Sequence, residues 1–208
     1  MNYLLVCVIA YLFGCIQTSY IAGRLILKKD IRELGNGNAG ASNATVVFGK
    51  RFGLLTVVVD ILKAVIALAI IKSLIGADVS MATQVGLLHL AGLFVILGHN
   101  FPFHMGFKGG KGTAALVGVM FGFDWRLGLL SVVTVFVVTL ITDYIVLGTV
   151  GLLILLLVTS LLNSPYAVVI VADVIIIIMS LYKHRQNFIN IKNGQEKHVR
   201  KALFGKKH

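Results

Sequence analysis

Charged residues are scarce in this chain of 208 residues, because 13% of them are Asp, Glu, Lys or Arg and 58% are hydrophobic. A soluble domain carries about 25% charged residues and about 45–50% apolar ones. The composition therefore excludes a disordered chain, a coiled coil and an ordinary cytosolic enzyme. Spans of about 20 apolar residues would use most of the sequence. We therefore expect an all-α polytopic membrane protein with no room for a separate soluble domain.

Cysteine is equally scarce, with Cys7 and Cys15 as the two examples. They lie eight residues apart in one apolar run, which is about 12 Å on a helix and too far for a disulfide. No Cys stands near a His, and the His, Asp and Glu residues form no cluster with metal-ligand spacing. We therefore expect neither a metal site nor a cofactor.

Acidic residues are also few, with 8 Asp and Glu against 19 Lys and Arg and a formal net charge of +11. Because the membrane interior avoids charge, the cations must lie in loops and tail, where they face anionic headgroups, anionic substrates or both. Nucleic acid is not expected as a partner, because the basic residues are not interleaved with aromatic ones on a soluble face.

Seven apolar segments predict about seven transmembrane helices, although the third, fourth and fifth are short for complete spans. An N-terminus outside places 15 of the 19 Lys and Arg residues on one side together with the C-terminus. The positive-inside rule makes that side cytoplasmic. The predicted segments are residues 3–27, 54–75, 85–97, 113–123, 127–141, 144–162 and 165–182.

A polar, glycine-rich segment, residues 34–49, follows the first span. It matches the G-x-G-x-x-G pattern, but that fingerprint requires a preceding strand, and here a transmembrane helix precedes it. Small residues let backbone N–H groups converge on an anion, and Asn and Ser add neutral donors; a tight turn between two spans is the alternative. The candidate substrate-binding residues are Gly35, Asn36, Gly37, Asn38, Gly40, Ser42 and Asn43.

A second such segment, residues 98–113, contains Lys108 and Lys111 among glycines at the start of a predicted helix. It is not a Walker A loop, because Gly112 separates Lys111 from Thr113. Point charges, exposed amides and a helix N-terminus together suit a phosphate; a basic loop that touches lipid headgroups is the alternative. The candidates here are His99, Lys108, Gly109, Gly110, Lys111 and Gly112.

A third segment, residues 183–196, directly follows the last span. His184 and Asn187 stand one helical turn apart on the same face, on the side where the other two segments are expected. Glu196 is predicted to be structural. The remaining residues, 197–208, are predicted to form a basic, partly ordered membrane-surface tail with no chemistry of its own.

Polar residues also occur inside the predicted spans. Asp60 and Lys63 stand three residues apart and can pair on one helix face, and His89 and Asp173 are further intramembrane candidates. A small transporter or channel with a midplane pathway through Asp60, Lys63 and Asp173 is therefore one alternative function. Against it, the glycine-rich segments lie on one membrane face, whereas transporters bind near the midplane.

The three segments, in this order and on one face, resemble the three motifs of the bacterial acyl-phosphate:glycerol-3-phosphate acyltransferases of the PlsY type. The resemblance covers nearly the whole chain, and its most specific part is Gly98-His99-x-Phe101-Pro102 through Phe107-Lys108-Gly109-Gly110-Lys111-Gly112. It implies a single integral membrane acyltransferase domain over residues 1–208, in the bacterial plasma membrane, with its active site on the cytoplasmic face.

The same resemblance implies transfer of an acyl group from acyl phosphate to the 1-hydroxyl of glycerol 3-phosphate, giving lysophosphatidic acid for phospholipid biosynthesis. The enzyme that makes the acyl phosphate is then an expected partner. His184, Asn187 and Lys111 would be the catalytic residues. An acyl phosphate is already activated, which agrees with the absence of a Ser-His-Asp set. The absence of His-x4-Asp favours acyl phosphate over acyl-CoA.

The chain departs from the family pattern at several positions. Asn36 stands where the family has Ser, Ser42 where it has Thr, and Val46 and Asn190 where it has Arg. Ser42 keeps a hydroxyl, whereas Val46 cannot replace a guanidinium. A divergent paralogue with lost activity or a changed acceptor is therefore the second alternative.

Overall fold

The structure is a computed structural model that describes residues 2–76 and 78–200. All regular secondary structure in the described residues is helical, which confirms the all-α prediction. It contains α1 (Tyr3–Gly14), α2 (Thr18–Ala22), α3 (Ala41–Phe48), α4 (Lys50–Leu74), α5 (Met81–Asn100), α6 (Thr113–Phe123), α7 (Trp125–Thr142), α8 (Ile145–Asn163) and α9 (Ala167–Lys192). A π-helical turn (Gly23–Leu27) continues α2, and 3-10 turns occupy Ile31–Glu33 and Phe103–Met105.

Five of these helices, α4, α5, α7, α8 and α9, are long and apolar enough to cross a membrane. The first apolar run, residues 3–27, is broken after α1 and bends by 47°, so it provides a sixth span if the pair is counted as one. Helix α6 has 11 residues, about 16 Å, which is short of a hydrocarbon core of about 30 Å. The expected number of about seven is therefore reached only by including α6.

The third predicted segment differs in length from the observed helix. Residues 85–97 were expected, whereas α5 has 20 residues and includes Thr83, Gln84, His99 and Asn100 at its ends. These polar residues interrupt the hydropathy pattern but remain helical, because His99 and Asn100 are buried inside the bundle. Helix α5 is therefore long enough for a complete span, and its last turn carries the start of the second polar segment.

Close backbone contact between α1 and α5 sets the position of that last turn. A Cβ atom on Gly98 would lie 2.2 Å from the carbonyl oxygen of Tyr11, and one on Gly14 would lie 2.2 Å from that of Val95. Small residues permit such approach between membrane helices. The end of α5 therefore lies directly beside the break that follows α1.

The core of the bundle combines apolar packing with two buried polar pairs. Asp60 Oδ1 lies 2.8 Å from Lys63 Nζ, which confirms the predicted pairing on one face of α4. His89 Nδ1 lies 2.9 Å from Asp173 Oδ1, so the two other intramembrane candidates are partners of each other. Cys7 and Cys15 are free thiols, as their spacing predicts. The large, fully buried apolar side chains of the core include Leu68, Ile96, Met120, Leu152 and Ile176.

Candidate active site

The three polar segments meet at one end of the bundle and enclose a cleft of about 980 Å³. Arg32, just before the first segment, donates to the carbonyl oxygen of Met105 in the second over 2.6 Å, and Lys111 of the second donates to Asn187 of the third. Two acidic residues, Asp30 and Glu33, line the cleft. Six cationic side chains line it as well: Arg24, Arg32, Lys108, Lys111, Lys183 and Arg185.

The first segment is folded around the side chain of Asn43, which is fully buried in α3. Its amide nitrogen donates to the carbonyl oxygens of Ile31, Leu34 and Asn38 over 2.9, 3.0 and 2.7 Å, and its Oδ1 accepts from the backbone N–H of Asn36. Asn43 was predicted to bind substrate. The structure instead engages its whole amide group inside the segment, where it shapes the loop that presents Gly37 and Asn38 to the cleft.

The second segment turns back on the end of α5. The N–H groups of Gly109 and Gly110 donate to the carbonyl oxygens of Asn100 and His99, both over 3.1 Å. These two amides were expected to face a phosphate, and they are engaged within the turn instead. A Cβ atom on Gly110 would lie 2.2 Å from His99 Nε2, so glycine is required here for close approach to the His99 ring.

Lys111, the residue after this turn, reaches the third segment. Its Nζ donates to Asn187 Oδ1, and Asn187 Nδ2 donates to Glu196 Oε1 over 2.7 Å. Glu196 therefore supports Asn187, in line with its predicted structural role. Burial lowers the pKa of the Lys111 ammonium, and the carboxylate of Glu196 counters this in part.

His184 lies in α9 one turn before Asn187 and is buried. Neither ring nitrogen has a hydrogen-bond partner among the described residues. A buried unpartnered imidazole is costly unless a ligand or water completes it. The structure thus brings His184 and Asn187 together on α9, with Lys111 bonded to Asn187, and of these three residues Lys111 is the one that lines the cleft.

Several residues of the site were not among the predicted candidates. Lys183 Nζ donates to the carbonyl oxygens of Asn100 and Gly109 over 3.0 and 3.3 Å and so fastens α9 to the second segment. Arg32 hydrogen-bonds both carboxylate oxygens of Asp30 and holds the pKa of that carboxyl below its usual value. Two features of the sequence could have identified these residues: Lys183 stands next to His184, and Asp30 and Arg32 form an Asp-x-Arg sequence after the first span.

The predicted candidates divide between the cleft surface and its surroundings. The described cleft lining includes Gly37, Asn38, Lys108, Gly109 and Lys111. His99 and Asn43 are buried, and Ser42 is exposed. The remaining predicted residues, Gly35, Asn36, Gly40, Gly110 and Gly112, belong to the backbone of the same two loops.

The three residues that depart from the family pattern, Val46, Asn190 and Asn36, differ in their exposure and hydrogen-bond partners. The side chain of Val46 is 51% exposed on α3. Asn190 accepts a hydrogen bond from Gln186 over 3.0 Å. Asn36 accepts one from Lys197 over 2.6 Å. The Asn36 carboxamide is therefore bound to a cation from the C-terminal segment.

The described part of the C-terminal tail, residues 197–200, contacts the bundle. His198 Nδ1 lies 2.9 Å from Asp143 Oδ2, and the N–H of Arg200 donates to Asp143 Oδ1 over 2.6 Å. The Arg200 guanidinium donates to the carbonyl oxygens of Leu140 and Ile141. Residues 197–200 thus dock on the end of α7, while residues 201–208 of the predicted tail lie outside the described residues.

Known proteins share this sequence and this fold. A family model described as glycerol-3-phosphate acyltransferase matches residues 4–194. The glycerol-3-phosphate acyltransferase 1 of Oceanobacillus iheyensis is 36% identical over 211 residues, which cover 100% of this chain and 99% of the relative. The glycerol-3-phosphate acyltransferase of Clostridioides difficile strain 630 is 35% identical and covers 95% of this chain and 96% of its own.

Two solved structures are similar as well, both of PlsY (YgiH), an integral membrane glycerol 3-phosphate acyltransferase. Its glycerol 3-phosphate form superimposes with a TM-score of 0.84 at 30% identity, over 97% of this chain and 98% of that chain. Its lysophosphatidic acid form gives a TM-score of 0.79 over 94% of each. By sequence, coverage and fold, this chain belongs to the glycerol-3-phosphate acyltransferase family, membrane enzymes that acylate glycerol 3-phosphate in phospholipid synthesis.

Proposed function

We propose that the enzyme transfers the acyl group of an acyl phosphate to the 1-hydroxyl of glycerol 3-phosphate. The observation that carries this proposal is the cleft lining, with six cationic side chains against two acidic ones. Both substrates are anions that repel each other, and a cleft with this excess of positive charge offsets the repulsion. It also stabilises the charge that develops on the departing phosphate.

The acyl phosphate is a mixed anhydride, so the attacking group is the glycerol hydroxyl and no protein nucleophile is needed. His184 is suited to orient that hydroxyl and accept its proton, because both of its ring nitrogens are unpartnered within the described chain. Lys111 binds the departing phosphate from the other side, held in place by Asn187. Alignment of the hydroxyl with the acyl carbon supplies the remaining acceleration.

An apolar groove of about 250 Å³ between α1 and α4 supports an acyl donor that arrives from the bilayer. It is lined by Phe13, Ile16, Val59, Leu62, Lys63 and Ile66. A fatty chain in this groove keeps its contact with apolar surface while its polar head enters the cleft.

The orientation of the bundle is part of the same proposal. The polar end, where the cleft opens, carries most of the 19 Lys and Arg residues, which supports a cytoplasmic active site in the bacterial plasma membrane. The N-terminus then lies outside and the C-terminus inside. An acyl-phosphate-producing enzyme is the expected partner, because the mixed anhydride is short-lived in water.

A single assay tests the proposed reaction. Purified protein in lipid nanodiscs is incubated with palmitoyl phosphate and labelled glycerol 3-phosphate, beside a parallel reaction with palmitoyl-CoA and beside the Lys111→Ala and His184→Ala variants. We expect labelled lysophosphatidic acid from palmitoyl phosphate alone, and its loss in both variants. Product from palmitoyl-CoA at an equal rate would overturn the proposed donor.

The same assay addresses a changed acceptor. A family member known to be active serves as the positive control, and glycerol and other polyol phosphates replace glycerol 3-phosphate in further reactions. If the control works and this protein acylates only a different acceptor, the proposed acceptor is wrong. Flux of labelled glycerol 3-phosphate into sealed vesicles without acylated product would instead indicate transport.

A further inference from the structure

We propose that the buried ion pair of Asp60 and Lys63 is a positioning element of the acyltransferase site. Through His99, the pair sets the position of the Gly109–Lys111 backbone and thereby of the Lys111 ammonium. The inference rests on the acyl transfer proposed above, because Lys111 matters as a site cation for that reaction.

The buried pair fixes the orientation of the His99 ring. Asp60, Lys63 and His99 are each 3% exposed. Lys63 Nζ lies 2.8 Å from Asp60 Oδ1, donates to the carbonyl oxygen of Ile16 over 2.6 Å, and lies 2.9 Å from His99 Nδ1. An ammonium group is a donor only, so His99 Nδ1 accepts and the ring proton is on Nε2. The ring is therefore fixed in one orientation and one tautomer.

His99 in turn contacts the loop that carries Lys111. The His99 carbonyl oxygen accepts from Gln17 Nε2 over 2.8 Å and from the N–H of Gly110 over 3.1 Å. The imidazole also touches Gly110, where a Cβ atom would lie 2.2 Å from Nε2. Two separate parts of His99 thus hold Gly110, and Lys111 is the next residue. A shift of the ring moves the peptide that carries Lys111.

The charged pair does something for His99 that apolar side chains could not do. A buried ion pair stabilises a fold no better than packed apolar side chains of similar volume, and the neighbouring residues of α4, Ala64, Ala67 and Leu68, are fully buried and apolar. Apolar residues would therefore hold α4 in the bundle equally well. Apolar side chains have no hydrogen-bond donor for His99 Nδ1, whereas the Lys63 ammonium supplies one.

A second buried pair in the same bundle provides a matched control. His89 and Asp173 lie 2.9 Å apart with side chains 7% and 0% exposed. The His89 ring stacks on Phe123 with centroids 4.2 Å apart, and Phe123 is at the end of α6 opposite Lys111. This pair resembles the first in burial and chemistry but is remote from the second segment.

The experiment compares the Asp60→Asn/Lys63→Met double variant with Lys63→Arg and with the control His89→Gln/Asp173→Asn, all in nanodiscs. Melting temperature, kcat and KM for glycerol 3-phosphate are measured with palmitoyl phosphate. In the first double variant we expect little change in melting temperature and a fall in kcat of about 100-fold, the scale of a 1 Å misplacement. Lys63→Arg restores part of the kcat, and the control pair changes melting temperature without changing kcat.

Three kinetic results would overturn the proposal. One is full kcat in the Asp60→Asn/Lys63→Met protein; another is an equal loss of kcat in the His89→Gln/Asp173→Asn control. If the first double variant does not fold, Gln17→Met decides, since it is uncharged, nearly isosteric and removes one bond to His99. An unchanged kcat in Gln17→Met would then be the third result that overturns the proposal.

A readout independent of turnover separates this inference from the proposed reaction. The rate at which an amine-reactive reagent labels Lys111, followed by mass spectrometry, reports the surroundings of its Nζ in the absence of substrate. We expect Asp60→Asn/Lys63→Met to change that rate and the His89→Gln/Asp173→Asn control to leave it unchanged. An inactive unaltered protein would overturn the proposed reaction alone, whereas identical labelling in all variants would overturn the positioning role.

Discussion

Lys111 Nζ donates a hydrogen bond to Asn187 Oδ1, which ties the end of the loop before α6 to the last helix of the described bundle. Asn187 Nδ2 in turn donates to Glu196 Oε1 over 2.7 Å. The Lys111 ammonium, which the proposed reaction places against the substrate phosphates, is therefore held in one orientation. Preorganised charge of this kind costs no reorganisation at the moment of reaction.

Replacement of Lys111 by Ala removes both the cation and its bond to Asn187. We expect kcat to fall by about 100-fold or more, the usual loss when one preorganised donor is removed from a charged transition state. Lys108→Ala is the matched comparison, because Lys108 is an exposed lysine of the same cleft, and we expect a smaller loss with most of it in KM. Equal losses in kcat for the two variants would contradict the special position of Lys111.

Replacement of Gly110 by Ala tests the contact with His99. The new Cβ atom would lie 2.2 Å from His99 Nε2, so either the ring or the loop must move. We expect a lower melting temperature and a loss of most activity. Gly76→Ala is the control, since a Cβ atom there meets nothing within 4 Å. Wild-type activity in Gly110→Ala would show that the loop position tolerates the shift.

Asn43→Ala tests the internal organisation of the first segment. The change leaves the carbonyl oxygens of Ile31, Leu34 and Asn38 without the amide donor, and an orphaned buried polar group costs about 1–3 kcal/mol. We expect a clearly lower melting temperature together with loss of activity. Ser42→Ala separates the two effects, because the exposed Ser42 hydroxyl should affect KM without affecting melting temperature. An unchanged melting temperature in Asn43→Ala would refute the structural role.

Docking of the C-terminal segment should depend on pH through Asp143. The backbone N–H of Arg200 is the main cause that lowers the pKa of the Asp143 carboxyl, with His198 adding to it. A lowered folded-state pKa means that the docked state is favoured above the usual Asp value of about 3.9 and loses this advantage as the pH falls through the lowered pKa. Docking should therefore be complete at pH 7 and weaken in acid.

Hydrogen exchange of residues 193–200 measures this docking in the intact protein. Asp143→Asn is compared with the unaltered protein at each pH, because the intrinsic exchange rate then cancels. We expect slower exchange in the unaltered protein at pH 7 and no difference at acid pH. A difference that persists undiminished in acid would mean that the carboxylate is not the anchor.

The sequence was sufficient to predict that three polar segments meet and that His184, Asn187 and Lys111 converge. Those predictions depend on local signals, namely glycine content, charge and the spacing of His184 and Asn187 on one helical face. The pairing of Asp60 with Lys63 is local in the same way, since i,i+3 neighbours lie together on any α-helix. Local patterns of this kind survive into the folded state.

The roles of Gly110 and Asn43 could not be predicted, because each depends on contacts between distant parts of the chain. A glycine in a loop indicates either an open amide or a close approach, and only the position of His99 shows that the second applies to Gly110. The Asn43 amide nitrogen could donate to a phosphate equally well, yet it donates to carbonyl oxygens of neighbouring residues, and Asn43 Oδ1 accepts from the N–H of Asn36. Likewise, docking of residues 197–200 depends on Asp143, more than 50 residues away.

The Asp60–Lys63 pair also bears on how the enzyme responds to an energised membrane. Moving one elementary charge through the full membrane potential is worth about 2.3 kcal/mol per 100 mV. The two opposite charges lie 2.8 Å apart, about a tenth of a hydrocarbon core of about 30 Å. Their combined coupling to the voltage is therefore at most about 0.2 kcal/mol per 100 mV. Anchoring the site to a neutralised pair makes its geometry insensitive to swings in membrane potential.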